Sequence, residues 1–216
     1  MFWSRPFISD DIAEWIDACF AWFDAQFSPV PVPVLPTRAY FTAGKGKDIE
    51  TARVLLADVC RHLGVDRPIM LFPLGRVAAE YRHSYQTLSE VEGTFQQIDG
   101  TAVISYDPEQ MAAPIRFLNT LAHEVMHVKL ADRVDEVPGG AEAHELATDL
   151  GCIICGFGVF QLQAADDAGW SGYLSQPSRA YALARFLKQR GLGAEAVSPY
   201  LSLRTNKLLH RALKLV

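Results

Sequence analysis

Cysteine is scarce. Four thiols (Cys19, Cys60, Cys152 and Cys155) in 216 residues are too few for a disulfide framework and fit a reducing compartment. A basic surplus is also missing: 25 acidic residues outnumber 20 basic ones, which argues against the broad positive footprint of a nucleic-acid or anionic-membrane binder. The opening residues carry a single Arg and reach Asp10 and Asp11 before any leader-like apolar core has formed, so a cleaved export signal is not expected. No repeat or low-complexity tract occurs. The most hydrophobic window, Leu146–Ala165, contains Asp149, Gln161, Gln163 and three glycines, and its purely apolar stretch falls short of the roughly 20 residues a bilayer crossing needs. These absences lead to the expectation of a cytoplasmic protein with no nucleic-acid partner and no membrane insertion.

What is present is apolar residue in quantity. Half the chain is hydrophobic and 11% aromatic, enough for one substantial core and for a single domain spanning 1–216. Three stretches make it up: helices with a small sheet over 1–110, a helical hairpin over 111–165, and C-terminal helices over 166–216. Apolar spacing of three and four predicts a helix over Asp11–Phe27, where Asp11 and Glu14 can form a capping box, and another over Asp48–Leu63 ended by Gly64. Between them the proline–valine run Ser28–Pro36 is a stiff extended connector. Pro68–Phe72 and Thr101–Tyr106 (TAVISY) read as strands, the second turning through Asp99-Gly100 to a partner near Gly93–Ile98 as a two-stranded edge. Residues 74–97 are otherwise ambiguous, with helical composition around Ala78–Tyr85. Helices follow over Pro114–Leu130, Glu142–Phe160, Ser178–Arg190 (capped by Gly191) and Leu201–Leu215.

The helix over Pro114–Leu130 contains His123-Glu124-Val125-Met126-His127. H-E-x-x-H spacing sets two imidazoles one turn apart on one helix face with a carboxylate beside them, an arrangement suited to gripping zinc. Leu118, Leu121, Ala122, Val125 and Met126 give the same helix a buried face. A catalytic zinc needs a third protein ligand and an open fourth position. Glu145 and Asp149 supply two carboxylates four residues apart in an apolar segment, where a cation or donor must face them. The turn at Pro138-Gly139-Gly140 lets their helix fold back beside the first. Glu145 can then reach the zinc while Asp149 holds a ligand imidazole by its free ring N–H.

The pairing of H-E-x-x-H with E-x-x-x-D on a following helix resembles the gluzincin clan of zinc metallopeptidases. The resemblance covers about thirty residues of the chain; outside them the sequence looks closer to compact bacterial gluzincin-like domains. It implies that His123, His127 and Glu145 are zinc ligands, that Glu124 is the general base, and that Asp149 orients His123. It also implies an α+β, mostly α-helical fold with a zincin-like core, in which a small edge sheet accompanies two active-site helices. The activity it implies is hydrolysis of peptide bonds in a protein or peptide held as an extra strand, with TAVISY standing where the substrate-binding edge strand would be. A donor for the oxyanion comes from Tyr173, Arg179 or Tyr181. Tyr173 is preferred because its loop is bounded by glycine; His83 and Tyr85 are weaker candidates.

Other features carry less. Cys152 and Cys155 have C-x-x-C spacing but no second pair, and read as small buried hydrophobes. His144 is a possible substitute third ligand, turned by about 100° from Glu145, and Glu142 meets the same objection from the other side. Arg204, Lys207, His210, Arg211 and Lys214 read as the solvated basic face of the last helix. The rival to a peptidase is a non-catalytic, zinc-stabilised regulatory or protein-binding module on the same scaffold. Glu124 weighs against it, since a structural zinc site has no use for a base and closes all four positions.

Overall fold

The computed structural model describes residues 6–74, 93–98, 100–169 and 172–216. These contain seven α-helices: α1 (Asp10–Gln26), α2 (Ile49–Leu63), α3 (Pro114–Leu130), α4 (His144–Cys152), α5 (Gly158–Asp167), α6 (Gln176–Gln189) and α7 (Leu203–Ala212). They also contain three strands, β1 (Ile69–Pro73), β2 (Gly93–Ile98) and β3 (Thr101–Tyr106). The fold is α+β and mostly helical, with one small mixed sheet. By chain proximity it forms two compact units, Thr37–Ala131 and the pair of segments Met1–Pro36 and Asp132–Val216.

In the unit Thr37–Ala131, α2 starts one residue after its predicted beginning, with Asp48 as its N-cap, and ends where Gly64 predicts. The Asp48 carboxylate accepts the Thr51 N–H at 2.8 Å, and Gly64 closes the other end at φ +62°, a left-handed turn that costs glycine little. Ala52, Leu56, Val59 and Leu63 are the buried stripe, and Lys129 of α3 donates to the Leu63 carbonyl at 2.8 Å, tying the end of α2 to α3. Pro114 opens α3 at a position whose N–H needs no helical partner. The sheet corrects one expectation. TAVISY is the middle strand, in the order β1-β3-β2: it runs parallel to β1, with Leu71 beside Ile104, and antiparallel to β2, with Phe95 beside Ile104. Its residues from Ala102 onward are buried, and both of its ladders are taken, so it has no edge for a substrate. Its β-branched, doubly buried character is that of a central strand, but pairing with β1 is non-local and invisible to a hairpin signal. Gly100 turns at φ +79° between β2 and β3; Asp99 and the stretch around Ala78–Tyr85 lie outside the described residues.

In the other unit, α1 starts one residue before its predicted beginning and ends one before its predicted end, but Ser9 is its N-cap and makes no side-chain cap bond, so the Asp11–Glu14 capping box does not form. The Ser28–Pro36 connector contains no helix or strand and bends at Val32 and Pro36. The helix expected over Glu142–Phe160 is not continuous. It starts at His144 and breaks at Cys155 (φ −85°, ψ 16°) and Gly156 (φ +97°, ψ −6°) before α5 begins. The break serves the connector: the Gly156 carbonyl accepts the Val34 N–H at 2.9 Å, and a β-carbon on Gly156 would meet Val30 Cγ1 at 3.2 Å and Val34 Cγ2 at 3.3 Å. Across Gly140–Asp167 the chain is apolar and long enough to span a membrane, and 89% of its most apolar window is buried inside the fold. Ser175 and Ser202 cap α6 and α7 through their side chains.

Gly156→Ala is expected to lower the unfolding free energy by about 1–3 kcal/mol, from left-handed strain plus crowding against the connector. Gly44→Ala, at an ordinary φ with open space around the position, should change it by less than about 0.5 kcal/mol; urea unfolding of the two variants checks this. A second expectation concerns Asp58. Burial works to raise its carboxyl, but the Thr42 N–H at 2.6 Å, Arg61 at 2.6 Å and the Thr42 hydroxyl outweigh burial and hold it below the ordinary range. The stabilisation from this carboxylate is therefore complete above the unfolded value of about 3.9 and lost as pH falls through the depressed folded one. The stability gap between wild type and Asp58→Asn should be constant near neutrality and shrink below about pH 4.

Candidate metal centre

The two histidines owe their geometry to α3. Spaced four apart, they project from one face, and their Nε2 atoms stand 3.0 Å apart with ring planes at 81°. Two nitrogens each about 2.05 Å from one tetrahedral zinc stand about 3.3 Å apart, so the pair is close to the spacing a shared ion requires. The helix gives them little freedom. Leu121, Ala122, Val125 and Met126 are at most 0% exposed, and the His127 ring lies parallel to Phe95 of β2, with centroids 6.1 Å apart and planes at 6°. Glu124, between the histidines in sequence, is buried at 5% exposure.

Glu145 stands in the first turn of α4 and is half-buried. One ligand atom from each of His123, His127 and Glu145 lies within 4.8 Å of the others. Two imidazoles and one carboxylate, leaving room for a fourth ligand, form a donor set that suits zinc among the common divalent ions. His144 and Glu142 are outside this group.

Asp149 is one turn beyond Glu145 and only 2% exposed. Its Oδ2 accepts the Arg179 Nη2–H at 3.0 Å and the backbone N–H groups of Tyr173 at 2.8 Å and Leu174 at 3.2 Å, while Oδ1 accepts from Gln161 Nε2 at 3.5 Å. Arg179, 1% exposed, also donates from Nε to Gln161 Oε1 at 3.3 Å. Burial lowers the Arg179 guanidinium, and the carboxylate of Asp149 works against that shift. Arg179 thus spends two of its nitrogens on the interior. Tyr173 is 58% exposed at its side chain, with its backbone tied to Asp149. Tyr181 is packed in α6; burial first, and then the charge of Asp17, raise its phenol, with Arg185 opposing. Cys152 and Cys155 are buried. His83 and Tyr85 lie outside the described residues.

Sequence reasoning missed Arg179 as the partner of Asp149 and Phe95 as the neighbour of His127. A signal for the first was present: an acid and two glutamines in the most apolar window all require partners. None existed for Phe95. Compared with models of protein families, with curated proteins and with solved structures, the chain matches none of them.

Arg179→Leu leaves a buried carboxylate without its charged partner and should destabilise the fold by about 3–5 kcal/mol. In the double variant Asp149→Leu/Arg179→Leu, the loss should be well below the sum of the two single losses. A double-mutant cycle by chemical denaturation reads the coupling directly, and additive losses would mean that the pair is not a unit.

Proposed function

We propose that this protein is a zinc-dependent metallopeptidase that hydrolyses peptide bonds in an extended protein or peptide segment. The observation that carries the reading is the convergence of His123, His127 and Glu145 within 4.8 Å, with Glu124 buried on the same helix as the histidines. His123, His127 and Glu145 would hold the ion. Zinc at such a site supplies Lewis acidity and brings the pKa of water toward about 7.

The chain's own groups do the rest. Glu124 takes the proton of the attacking water and returns it to the departing amine, the task of a positioned carboxylate base. Asp149 orients His123, as carboxylates behind a ligand imidazole do. The exposed Tyr173, on a loop held at its backbone, is the donor for the developing oxyanion. Since β3 is internal to the sheet, the substrate strand pairs instead with β2, whose far edge has no partner strand among the described residues. A strand there runs beside Phe95, and so beside the His127 ring. An extended peptide fits this arrangement better than a compact small molecule.

Protein purified without added metal should contain near-stoichiometric zinc, and Glu145→Ala should lose most of it. Glu124→Gln should keep the metal and lose turnover by on the order of 10²–10⁴-fold. Wild type without zinc overturns the reading. Glu124→Gln with undiminished biological effect overturns its catalytic half and favours the zinc-stabilised binding module.

A further inference from the structure

The helix that carries Glu145 is poorly anchored by local means. α4 spans nine residues, its N-cap Ala143 offers no side-chain bond, a 3-10 turn (Gly140–Ala143) leads into it, and beyond Cys152 the chain departs from helix geometry at Cys155 and Gly156. Rotation of such a helix about its axis is opposed by the packing of its buried residues, Ala147, Thr148, Leu150 and Cys152 among them, and by the bonds its polar side chains make. With side-chain tips about 5–6 Å from the axis, a turn of about 20° moves the Glu145 carboxylate by about 2 Å. That displacement decides whether a ligand is within bonding distance.

Asp149, one turn along and on the same side of α4, is the fixed point. Four donors from three elements end on its carboxylate: Arg179 of α6, Gln161 of α5, and the backbone N–H groups of Tyr173 and Leu174. A second observation concerns Gly172. At φ +83° it lies directly against the ion pair: a β-carbon there would meet Asp149 Oδ2 at 2.9 Å and would collide with the Arg179 guanidinium. Glycine at 172 is thus required by close approach to the pair, and the loop is seated on it.

We propose that Arg179 is a positioning residue of the metal centre: through Asp149 it sets the rotation of α4, and with it the aim of Glu145, while the same carboxylate latches the Gly172–Leu174 loop that carries Tyr173. The proposal rests on the metallopeptidase reading but concerns metal geometry, so its test does not depend on turnover. Arg179→Lys keeps the charge but loses the planar fork, and Gly172→Ala pushes on the pair from the loop side. Zinc affinity is measured by chelator competition on folded wild type and on each variant, with the visible absorption of the cobalt-substituted protein as a reporter of ligand geometry. Asp58→Asn on α2 controls for loss of stability alone.

Zinc affinity should fall about 10–100-fold in each of the two variants, with a changed cobalt spectrum, while Asp58→Asn retains wild-type affinity and spectrum. Gly172→Ala carries the test if Arg179→Lys does not fold. Variants that hold zinc within about twofold of wild type, with the wild-type cobalt spectrum, overturn the proposal and leave the metallopeptidase reading standing. Wild type that binds neither ion overturns both.

Discussion

A carboxylate removed from water has to be answered by donors, and the interior around Asp149 is organised by that demand. An ionised group that is 2% exposed is tolerable only when its lone pairs are occupied and its charge is opposed. Hydrogen bonds to a charged group contribute about 1.5–3 kcal/mol each, against several kcal/mol of desolvation. One guanidinium, two backbone N–H groups and an amide meet the requirement here. Since those donors come from α5, α6 and the loop before α6, satisfying one side chain fixes three pieces of chain against α4. The polar residues of an otherwise apolar helix are therefore connectors.

The same logic recurs two residues further along α5. Gln163 accepts the Ser202 N–H at 2.8 Å and the Thr205 hydroxyl at 3.0 Å, and donates to Asp167 at 2.6 Å, so the start of α7 is secured by a buried amide on α5. Backbone is used similarly at Gly156, whose carbonyl leaves the helical ladder to receive Val34 from the connector. An N–H on a proline-rich segment has no sheet to join, and the broken helix supplies the acceptor it lacks. The helix break and the connector are two halves of one arrangement.

These examples separate what a sequence displays from what it hides. Features decided within a turn or two were legible: the Gly64 cap of α2, the bounds of α3, and the facing of His123 and His127. Features decided by distant partners were not. TAVISY has the same composition at an edge or in the middle, and only pairing with β1, some thirty residues earlier in sequence, makes it central. The apolar run from Leu146 to Ala165 reads as one helix because nothing within it announces that a neighbour will claim the Gly156 carbonyl. Asp149 announced the need for a donor without saying that Arg179 would meet it.

This division runs through the candidate centre itself. His123 and His127 are held by one 17-residue helix whose surrounding side chains are closely packed, so their relative geometry follows from helical repeat and needs no outside help. Glu145 lies on a helix that is short, irregular at both ends and uncapped by a side chain. A five-residue motif therefore sets the relative placement of His123 and His127, whereas the placement of Glu145 depends on contacts made by another helix. Asp149 follows Glu145 at one-turn spacing, and its buried ion pair with Arg179 ties the middle of α4 to α6.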